Sequence, residues 1–259
     1  MGFMAEKASK AEGVGQPHHV RTPDRRVCGI TDVGCVRGNN EDGFYVADDG
    51  SLLMVADGLG GHPAGQLASQ VAIDTAVAVV DGGSAKRPAR LLGRAIDQAH
   101  QQVLATGLEN PFHAGMATTL IAGMIEGDSL HTCHVGDVRG YVLGQEGLER
   151  LTTDHSYVGE LVGRGELSEA DARCHPERNI VTQAIGLDVP EPDFSTHALN
   201  SGDTVLLCSD GLWDAVHDEE MAEILSASRS TRRRAADLID RAIDAGGHDN
   251  ITAVLYQHS

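Results

Sequence analysis

The sequence predicts an α+β fold in which antiparallel sheets are covered by helices. Short apolar or β-branched runs, each bounded by glycine or aspartate, occur in blocks, as strands usually do. Hairpin-length turns at 126–128 and 144–147 join some of these runs, and such turns connect antiparallel neighbours. Longer segments with helical spacing lie between the blocks, which fits layers of sheet and helix better than a strict strand–helix alternation.

Eight runs are predicted to form the strands. Each is short and apolar or β-branched, and each ends near a turn-forming residue. In chain order they are RRVCGITDVGCV, GFYVAD, SLLMVAD, ATTLIAGMIEG, SLHTCHVGD, GYVLGQEGLERL, DTVLLCSD and NITAVLY.

Three segments carry apolar residues at helical spacing. The first covers 63–80, the second has its apolar positions between 91 and 103, and the third has them between 235 and 243. Gly246 and Gly247 follow the third segment and are expected to end that helix. A further stretch, 155–179, predicts two short helices, with Ser168 and Asp171 spaced as an N-terminal capping pair.

Length and composition indicate one ordinary globular domain. The chain has 259 residues, of which 41% are hydrophobic but only 3% aromatic, so the core must be built from Ala, Val, Leu and Ile. No apolar run approaches 18 residues, which excludes a membrane-spanning helix, and the N-terminus has no apolar centre for a secretory signal. We expect residues 1–24 to form a mobile tail and residues 25–259 to form a single domain.

The net charge and the cysteine content indicate which binding partners and which cellular compartment to expect. A formal net charge of -18 disfavours nucleic acid and anionic membranes, since both would be repelled by the surface as a whole. The five cysteines are odd in number and contain no C-x-x-C pair, which favours reduced thiols in a cytoplasmic protein over disulfides or a zinc site.

Three aspartates stand where strongly apolar strands begin or end. Asp57, Asp210 and Asp249 occur in VADG, CSDG and GHDN. Taken singly, each is best interpreted as a turn former that binds its own backbone. Together at sheet ends they could converge, and like charges a few ångströms apart would cost several kcal/mol unless a cation bound them. Carboxylates and carbonyls without Cys or His favour Mg²⁺ or Mn²⁺ over zinc.

A set of ordered motifs is similar to a known family. RGNNEDGF, VADGLGGHPAG, ATTL, HVGDVRGY, LTTDHSYV, IVTQAIG, LLCSDGLWD and GHDNITAVL occur in this order between about residues 26 and 256. This order and approximate spacing resemble the metal-dependent serine/threonine protein phosphatases of the PPM family, type 2C, in its bacterial branch. A single motif such as DGLGG would be weak evidence, whereas eight in sequence are specific.

The resemblance implies a fold and a metal centre. The fold is a four-layer αββα sandwich, two antiparallel sheets face to face with helices outside, and a binuclear Mn²⁺ or Mg²⁺ site lies at one end of it. By motif, Asp57 is expected to bridge both ions while Asp210 and Asp249 hold one of them. The other ion is expected to be served, partly through waters, by Glu41, Asp42 and the Gly58 carbonyl.

The resemblance also implies residues around the metal centre. Arg37 looks like the residue that grips the substrate phosphate, and its alternative interpretation is a surface arginine paired with Glu41. Asp137, together with Asp210, looks like the pair that holds a third, weaker ion; Val138 replaces a serine that the family often has there. The stretch 155–183 corresponds to a mobile helical flap beside the site.

The implied activity is hydrolysis of phosphoserine and phosphothreonine monoesters by a water or hydroxide that bridges two divalent ions. The implied partners are phosphorylated proteins, including a serine/threonine kinase or its substrates, with the enzyme acting as a monomer. The proton donor is less clear, because the family's eukaryotic histidine position holds Leu59 here. His62 is expected to be a solvated loop residue, which leaves metal-bound water as the alternative proton source.

Two rival functions remain to be tested. CHVGDVR, from Cys133 to Arg139, fits the C-x5-R signature of cysteine-dependent phosphatases, but Asp137 inside that loop would repel a phosphate dianion. The second rival is a catalytically inactive phosphoprotein-binding module on the same fold. Its relatives usually lack one of the metal-binding acids, whereas Asp57, Asp210 and Asp249 are all present here.

Overall fold

Two antiparallel sheets face each other in the computed structural model, which describes residues 19–59, 63–83 and 87–259. Strands and helices are numbered in chain order. The first sheet has six strands, in the order β1 (His19–Asp24), β2 (Val27–Asp32), β13 (Ile251–Gln257), β12 (Thr204–Cys208), β9 (Arg139–Gly144) and β10 (Gly147–Arg150). The second has five, in the order β11 (Asp193–Ala198), β8 (Ser129–Val135), β7 (Leu120–Glu126), β4 (Leu52–Ala56) and β3 (Gly43–Val46). A short pair, β5 (Gly58–Leu59) and β6 (Ala117–Thr118), adjoins them.

Helices cover the outer face of each sheet. The second sheet is covered by α1 (Pro63–Asp81) and α2 (Pro88–Glu109), and a 3-10 turn (Pro111–His113) follows α2. The first sheet is covered by α5 (Asp210–Trp213), α6 (Asp218–Ser226) and α7 (Thr231–Asp244). Two further short helices, α3 (Tyr157–Gly163) and α4 (Glu169–Arg173), lie between β10 and β11 in the chain.

The central strands are apolar throughout because both of their faces are buried. In β4, Met54 belongs to the core beneath α1 and α2, whereas Leu53 and Val55 belong to the core between the sheets. In β12, Leu206 packs beneath the helices of the first sheet while Leu207 faces the second sheet. Alternation along a strand therefore fills three apolar layers, which is the packing of an αββα sandwich.

The structure confirms the expected architecture. All strand pairs are antiparallel, and the predicted hairpins are present where Glu126 pairs with Ser129 and Gly144 pairs with Gly147. The three segments of helical spacing form α1, α2 and α7. The capping pair is also present: the Ser168 hydroxyl accepts from the Asp171 backbone N–H at 3.1 Å and donates to its carboxylate at 2.6 Å.

The predicted N-terminal tail of residues 1–24 needs one correction. Residues 1–18 lie outside the described residues, but His19–Asp24 forms β1 and pairs with β2. This strand is held at the sheet edge by backbone bonds and by an ion pair of 2.7 Å between Arg21 and Asp48. The pattern of apolar runs did not predict this strand, because it is short and its residues are of mixed polarity.

Strand β11 and helix α6 are among the other elements that were not predicted. Strand β11 is an edge strand in which all six residues are exposed or half-exposed, so it lacks an apolar signature. Helix α6 could have been predicted from its acidic residues. Asp218, Glu219 and Glu220 occupy its first turn, where negative side chains interact favourably with the helix dipole. In the described part of the chain, no helix combines the length and the apolar character needed to cross a membrane.

Candidate active site and metal centre

The segments that carry the predicted site residues meet at one end of the sandwich. Strands β2, β12, β4 and β8 run toward this end, and β13, β9, β3 and β7 start from it. The loop 33–42 therefore lies beside three other segments: the residues that follow β4, the start of α5 and the turn before β13. Antiparallel pairing brings together residues that are up to about 200 positions apart in sequence.

A cavity of about 170 Å³ opens at this end. Seven of the eight predicted site residues line it, and Asp42 lies behind its wall, fully buried. Five of the twelve lining residues are acidic, one is an arginine and the other six are neutral. The lining residues are Arg37, Asn39, Glu41, Asp57, Gly58, Leu59, Asp137, Asn179, Val181, Asp210, Asp249 and Asn250.

Backbone bonds fix Asp57 at the end of β4. Its N–H donates to the Thr119 hydroxyl at 3.1 Å, and its carbonyl accepts from the Thr119 N–H and from the Thr118 hydroxyl, each at 2.8 Å. Both peptide groups that flank the Asp57 side chain are thus anchored to the chain entering β7. The carboxylate is presented to the cavity from a rigid strand end.

A chain of buried hydroxyls ends on Asp42. The Ser209 and Thr252 hydroxyls each lie 2.6 Å from Asp42 Oδ2, and since a carboxylate only accepts, both must donate. Thr252 Oγ1 lies 2.7 Å from Thr31 Oγ1, so Thr31 donates there, and Thr31 accepts in turn from the Asn40 amide at 2.9 Å. All the protons in this chain point toward Asp42, which favours its ionised form.

Two buried carboxylate oxygens in this region have no hydrogen-bond partner. They are Asp42 Oδ1 and Asp210 Oδ1, each inaccessible to solvent. Leaving a buried charged oxygen unpaired is costly, and native structures rarely tolerate it without an ion or water. Because the surrounding donors are carboxylates and carbonyls, the residues present fit hard divalent cations such as Mn²⁺ or Mg²⁺.

The acids raise one another's pKa in the absence of a cation. Burial, followed by neighbouring carboxylates, raises the pKa of Asp42 to about 7 and that of Asp210 to about 6. The same two causes raise the pKa of Asp57 and of Asp137 well above the usual range of an aspartate. The site therefore binds protons near neutral pH when no cation is present, and a cation would have to displace them.

Arg37 reaches into the site from the loop after β2. Its Nη2 donates to Asp249 Oδ2 at 2.6 Å, and this bond is the main cause that raises the pKa of the guanidinium. The contact is with Asp249 rather than with the Glu41 partner of the alternative interpretation. Nearly half of the Arg37 side chain remains exposed, so part of the guanidinium can still meet a ligand at the mouth of the cavity.

Asp137 lies in the turn between β8 and β9, beside a buried ion pair. Arg139 forms two bonds with Asp154, at 2.9 and 2.6 Å, and its guanidinium stacks 3.6 Å from the centre of the Trp213 ring. The Trp213 indole N–H donates to the Asp137 carbonyl at 3.0 Å. This arrangement fixes the turn so that Asp137 and Asp210 line the same cavity.

Glycine is required where two of these loops touch. A Cβ on Gly58 would lie 2.4 Å from the Gly65 carbonyl oxygen, and one on Gly211 would lie 2.0 Å from the Asn250 carbonyl oxygen. Both distances are shorter than any real carbon–oxygen contact of this kind. The glycine after Asp57 and the glycine after Asp210 thus allow the acidic segments to approach one another.

Asn250 is a structural residue that sequence reasoning missed. Its amide donates to the carbonyls of Val33 and Asn39, at 3.0 and 2.9 Å, and its Oδ1 accepts from the Glu41 backbone N–H at 2.8 Å. One side chain thereby ties the loop 33–41 to the turn that holds Asp249. The GHDN motif contained the signal, since an asparagine directly after a candidate ligand often binds nearby backbone.

The predicted flap region, 155–183, borders the cavity. Asn179 and Val181, from the segment after α4, line the same cavity as the predicted site residues, and α3 and α4 enclose a second space against Trp213. Arg173 holds α4 to the main domain by donating to the Trp213 carbonyl at 2.7 Å. His62, the other residue considered for proton transfer, lies outside the described residues.

The structure argues against cysteine-based chemistry at C-x5-R. Cys133 is fully buried within β8, and burial raises the pKa of its thiol far above that of a free cysteine. Arg139 is committed to Asp154 and does not complete a phosphate loop. A thiol that is buried and protonated cannot act as the attacking thiolate.

A cluster of His134, His155 and Asp193 has the composition of a metal site. His155 Nδ1 accepts from the Gly136 N–H at 3.3 Å, so its proton is on Nε2, which faces Asp193 Oδ2 at 3.3 Å. His134 Nε2 lies 3.0 Å from the Thr153 carbonyl and donates to it. These bonds describe a hydrogen-bonded support for the base of the flap rather than a set of free ligand atoms.

Comparisons with known proteins agree with this geometry. The model of the family Protein phosphatase 2C matches residues 38–245. The serine/threonine phosphatase stp of Listeria welshimeri is 37% identical over 237 residues, which cover 88% of this chain and 94% of that protein. PstP of Mycobacterium tuberculosis is 36% identical over 89% of this chain, which corresponds to 44% of that longer protein.

Solved structures give the same result. The crystal structure of the Mycobacterium tuberculosis serine/threonine phosphatase PstP superposes with a TM-score of 0.84 at 37% identity, over 90% of this chain and 98% of that one. The catalytic domain of PstP in complex with two manganese ions superposes with a TM-score of 0.82 at 34% identity, over 90% and 97% of the two chains.

Proposed function

This chain belongs to the protein phosphatase 2C family, among the bacterial serine/threonine phosphatases of the PPM type, and on that premise we propose that it hydrolyses phosphoserine and phosphothreonine monoesters in proteins. One observation carries the proposal. Acids from distant segments line a single cavity with one arginine, and two of the buried carboxylate oxygens of this region lack a partner. Such a site suits divalent cations and a phosphate group.

We propose specific roles for the acids in holding two cations. Asp57 would bridge both, Asp210 and Asp249 would hold one, and Glu41, Asp42 and the Gly58 carbonyl would serve the other, partly through water. When bound, two such cations supply a water molecule of lowered pKa as nucleophile and offset the charge of an in-line displacement. Manganese has support from the relative solved with two manganese ions, and magnesium is the alternative that the donor set allows.

The role proposed for Arg37 is to bind and orient the phosphate. Its guanidinium stands at the cavity mouth and is partly exposed, and a guanidinium can hold two phosphate oxygens at once. Engaging substrate would require it to exchange its bond to Asp249 for bonds to phosphate. Because the pair with Asp249 is partly solvated, this exchange is expected to cost little.

A third, weaker cation is proposed between Asp137 and Asp210. Both residues line the cavity, and burial and their mutual repulsion raise the pKa of Asp137. Val138, next to Asp137, is fully buried in the core between the sheets and offers no hydroxyl to this position. We therefore expect this ion to bind less tightly than the other two.

We propose that the partners are phosphorylated proteins, among them a serine/threonine kinase or its substrates, and that the enzyme acts as a cytoplasmic monomer in signalling. The odd number of cysteines and the lack of a C-x-x-C pair support a reducing compartment. The net charge of -18 supports the absence of nucleic acid and of anionic membrane among the partners.

The function is tested by hydrolysis of phosphoserine and phosphothreonine peptides with Mn²⁺, with Mg²⁺ and with excess chelator. We expect turnover that depends on the metal and falls by a factor of about 100 or more in Asp210→Asn, because a charged ligand is lost. Asp188→Asn removes an exposed acid that does not line the cavity, and it serves as the matched control.

Two results would overturn the proposal. Binding of the phosphopeptides without any metal-dependent turnover would leave the inactive binding module as the better description. Full turnover in chelator, abolished by Cys133→Ser, would instead revive the cysteine mechanism.

A further inference from the structure

Two arginines in the described chain are buried in quite different surroundings. Arg139 and Arg234 are each only 4% exposed. Arg139 has a carboxylate partner in Asp154 and an aromatic ring against its face. Arg234 makes no ion pair with any described carboxylate, although it is a full positive charge removed from water.

The hydrogen bonds of Arg234 go to neutral groups. Nη1 donates to the Leu225 carbonyl at 2.6 Å and to the Thr204 hydroxyl at 3.1 Å, and Nη2 donates to the Gln257 side-chain oxygen at 3.0 Å. Nη2 also lies 3.5 Å from the Thr231 hydroxyl, at the limit of a bond. Nε has no partner at all. The guanidinium is held in place, but its charge is not neutralised.

A cavity of about 410 Å³ lies against this arginine. Its wall contains serine hydroxyls, glycine backbone, a glutamine amide and the Asp203 carboxylate, together with Arg229, which is paired with Asp237 at 2.6 Å. The lining residues are Leu143, Gly144, Gln145, Ser201, Gly202, Asp203, Thr204, Leu225, Ser226, Ala227, Ser228, Arg229, Arg234 and Gln257.

This cavity is remote from the metal centre. Thr204 begins β12 at the cavity, whereas Cys208 ends the strand two residues before Asp210. Four steps of about 3.3 Å along the strand place the two ends about 13 Å apart, before the further length of Ser209 is added. The lining residues of this cavity and of the metal-site cavity do not overlap.

The described groups around Arg234 do not neutralise the charge of its guanidinium. The Leu225 carbonyl lies in the last turn of α6, and a helix end offers about half an elementary charge, which is less than a guanidinium carries. Asp203 also faces the cavity, but its Oδ2 accepts from the Asn200 backbone N–H at 2.8 Å and is not paired with Arg234. Burial lowers the pKa of Arg234, with no carboxylate acting to raise it.

We propose that this cavity is a second anion site, which binds a phosphate-sized oxyanion between Arg234 and the serine hydroxyls of the 226–228 segment. The ligand chemistry is that of a phosphate group, either free in solution or on a phosphorylated protein side chain. An oxyanion there supplies the counter-charge that Arg234 lacks and accepts from the neutral donors of the wall. The site does not depend on the metal centre or on the proposed hydrolysis.

The test is a titration of the Mg²⁺-loaded full chain, labelled with ¹⁵N, by inorganic phosphate. The backbone amides of Gly202, Ser228 and Thr231 report on the second anion site, and those of Gly58 and Asn250 report separately on the metal centre. A parallel titration uses a peptide that carries a non-hydrolysable phosphonate analogue of phosphoserine. Tighter binding of the peptide identifies a protein side chain as the source, and tighter binding of phosphate identifies the free ion.

Two variants remove the site in different ways. Arg234→Gln removes the charge, and Ser228→Glu places a repelling carboxylate on an exposed side chain while leaving every bond of Arg234 intact. We expect each to weaken binding at the cavity amides by about tenfold or more, since the positive charge of the site is removed or opposed. Gln101→Glu, which adds the same charge on the distant helix α2, is the control that keeps the affinity.

The site is supported if the cavity amides of the wild type show saturable changes in chemical shift and if Arg234→Gln and Ser228→Glu both weaken this binding. Equal affinity in the wild type and in Ser228→Glu, or no saturable shift at these amides, overturns it. Because Ser228→Glu alters only a solvated position, it decides the question even if Arg234→Gln fails to fold. Shifts confined to Gly58 and Asn250 also overturn it, without affecting the metal-centre proposal.

Discussion

Asp42 illustrates how hydroxyl neighbours can set the charge state of a carboxylate that we propose holds a cation. Its Oδ2 receives two hydroxyl bonds of 2.6 Å, while its Oδ1 is buried and unpaired. The hydroxyl bonds from Ser209 and Thr252 lower the pKa of Asp42, and burial raises it more strongly. The balance of these effects sets how readily a cation can displace the proton.

Removing the hydroxyls should therefore weaken cation binding. In Ser209→Ala or Thr252→Val the pKa of Asp42 rises further, so we expect the Mn²⁺ concentration at half-maximal activity to increase about tenfold or more. Thr31→Val removes a donor one link further away and should have a smaller effect. Mn²⁺ activation curves measure this, and equal effects of all three substitutions would contradict the proposed order of the chain.

Arg37 offers a separate test of substrate binding. In Arg37→Ala we expect KM for a phosphopeptide to rise about tenfold or more, because a bidentate contact to phosphate is lost. The Mn²⁺ midpoint should stay level or fall slightly, since Asp249 is released from its ion pair. In Arg37→Lys, which keeps the charge but not the planar guanidinium, KM should lie between the values of the wild type and Arg37→Ala. Parallel loss of Mn²⁺ affinity and turnover would instead show that Arg37 acts through the ligands.

Residue patterns predicted only part of this site. Asp57, Asp210 and Asp249 follow from their positions at strand ends, whereas Glu41 and Asp137 came from the resemblance alone. Spacing cannot show that two loops meet, because their meeting depends on strand order. The hydroxyl chain on Asp42 was not predicted at all, since it depends on the register that places Thr31 opposite Thr252.

At the scale of elements, the approach of α5 to the start of β13 depends on Gly211. A Cβ there would meet the Asn250 carbonyl oxygen at 2.0 Å, so Gly211→Ala must push the two segments apart. We expect a loss of about 1 to 3 kcal/mol in the free energy of unfolding, measured with urea, and a higher Mn²⁺ midpoint.

Gly163 provides the matched control for that substitution. It ends α3, and no atom lies within 4 Å of a Cβ placed on it. Gly163→Ala should be neutral or stabilise by up to about 1 kcal/mol, through the unfolded chain. Equal destabilisation by both alanines would show that the close contact at Gly211 is not what matters.

The spacing of apolar residues predicted the long helices and the hairpins, but it was less informative for strands at the edges of the sheets. Helices α1, α2 and α7 bury one face each, so their spacing is visible, and the β7–β8 and β9–β10 turns are local. Strand β11 joins the sheet by pairing with β8, about 60 residues earlier, and exposes much of its length. Such a strand is specified by its neighbour rather than by its own composition.

For the whole molecule, we expect the buried acids to make metal binding depend on pH. The pKa of Asp42 is raised to about 7 and that of Asp210 to about 6, both above the ordinary value near 3.8. Without metal, the folded state therefore holds protons that the unfolded chain would release. These groups make the metal-free fold lose stability as pH rises from about 4 to 7.

Cations should reverse this dependence. At about pH 8 the carboxylates are ready to bind, so we expect Mn²⁺ to raise Tm more at pH 8 than at about pH 5, where it must compete with protons. Thermal unfolding with and without Mn²⁺ at both pH values measures the difference. An equal rise in Tm at the two pH values would mean that the ions bind away from these acids.

The central claim is that side chains from distant segments converge to hold a pair of divalent cations. The most direct measurement is an anomalous difference map from crystals grown with Mn²⁺, collected at the manganese absorption edge. We predict two peaks about 3.5 to 4 Å apart, with Asp57 between them and Asp210 and Asp249 beside one of them. The absence of peaks in this cavity, or peaks only at the His134, His155 and Asp193 cluster, would contradict the claim.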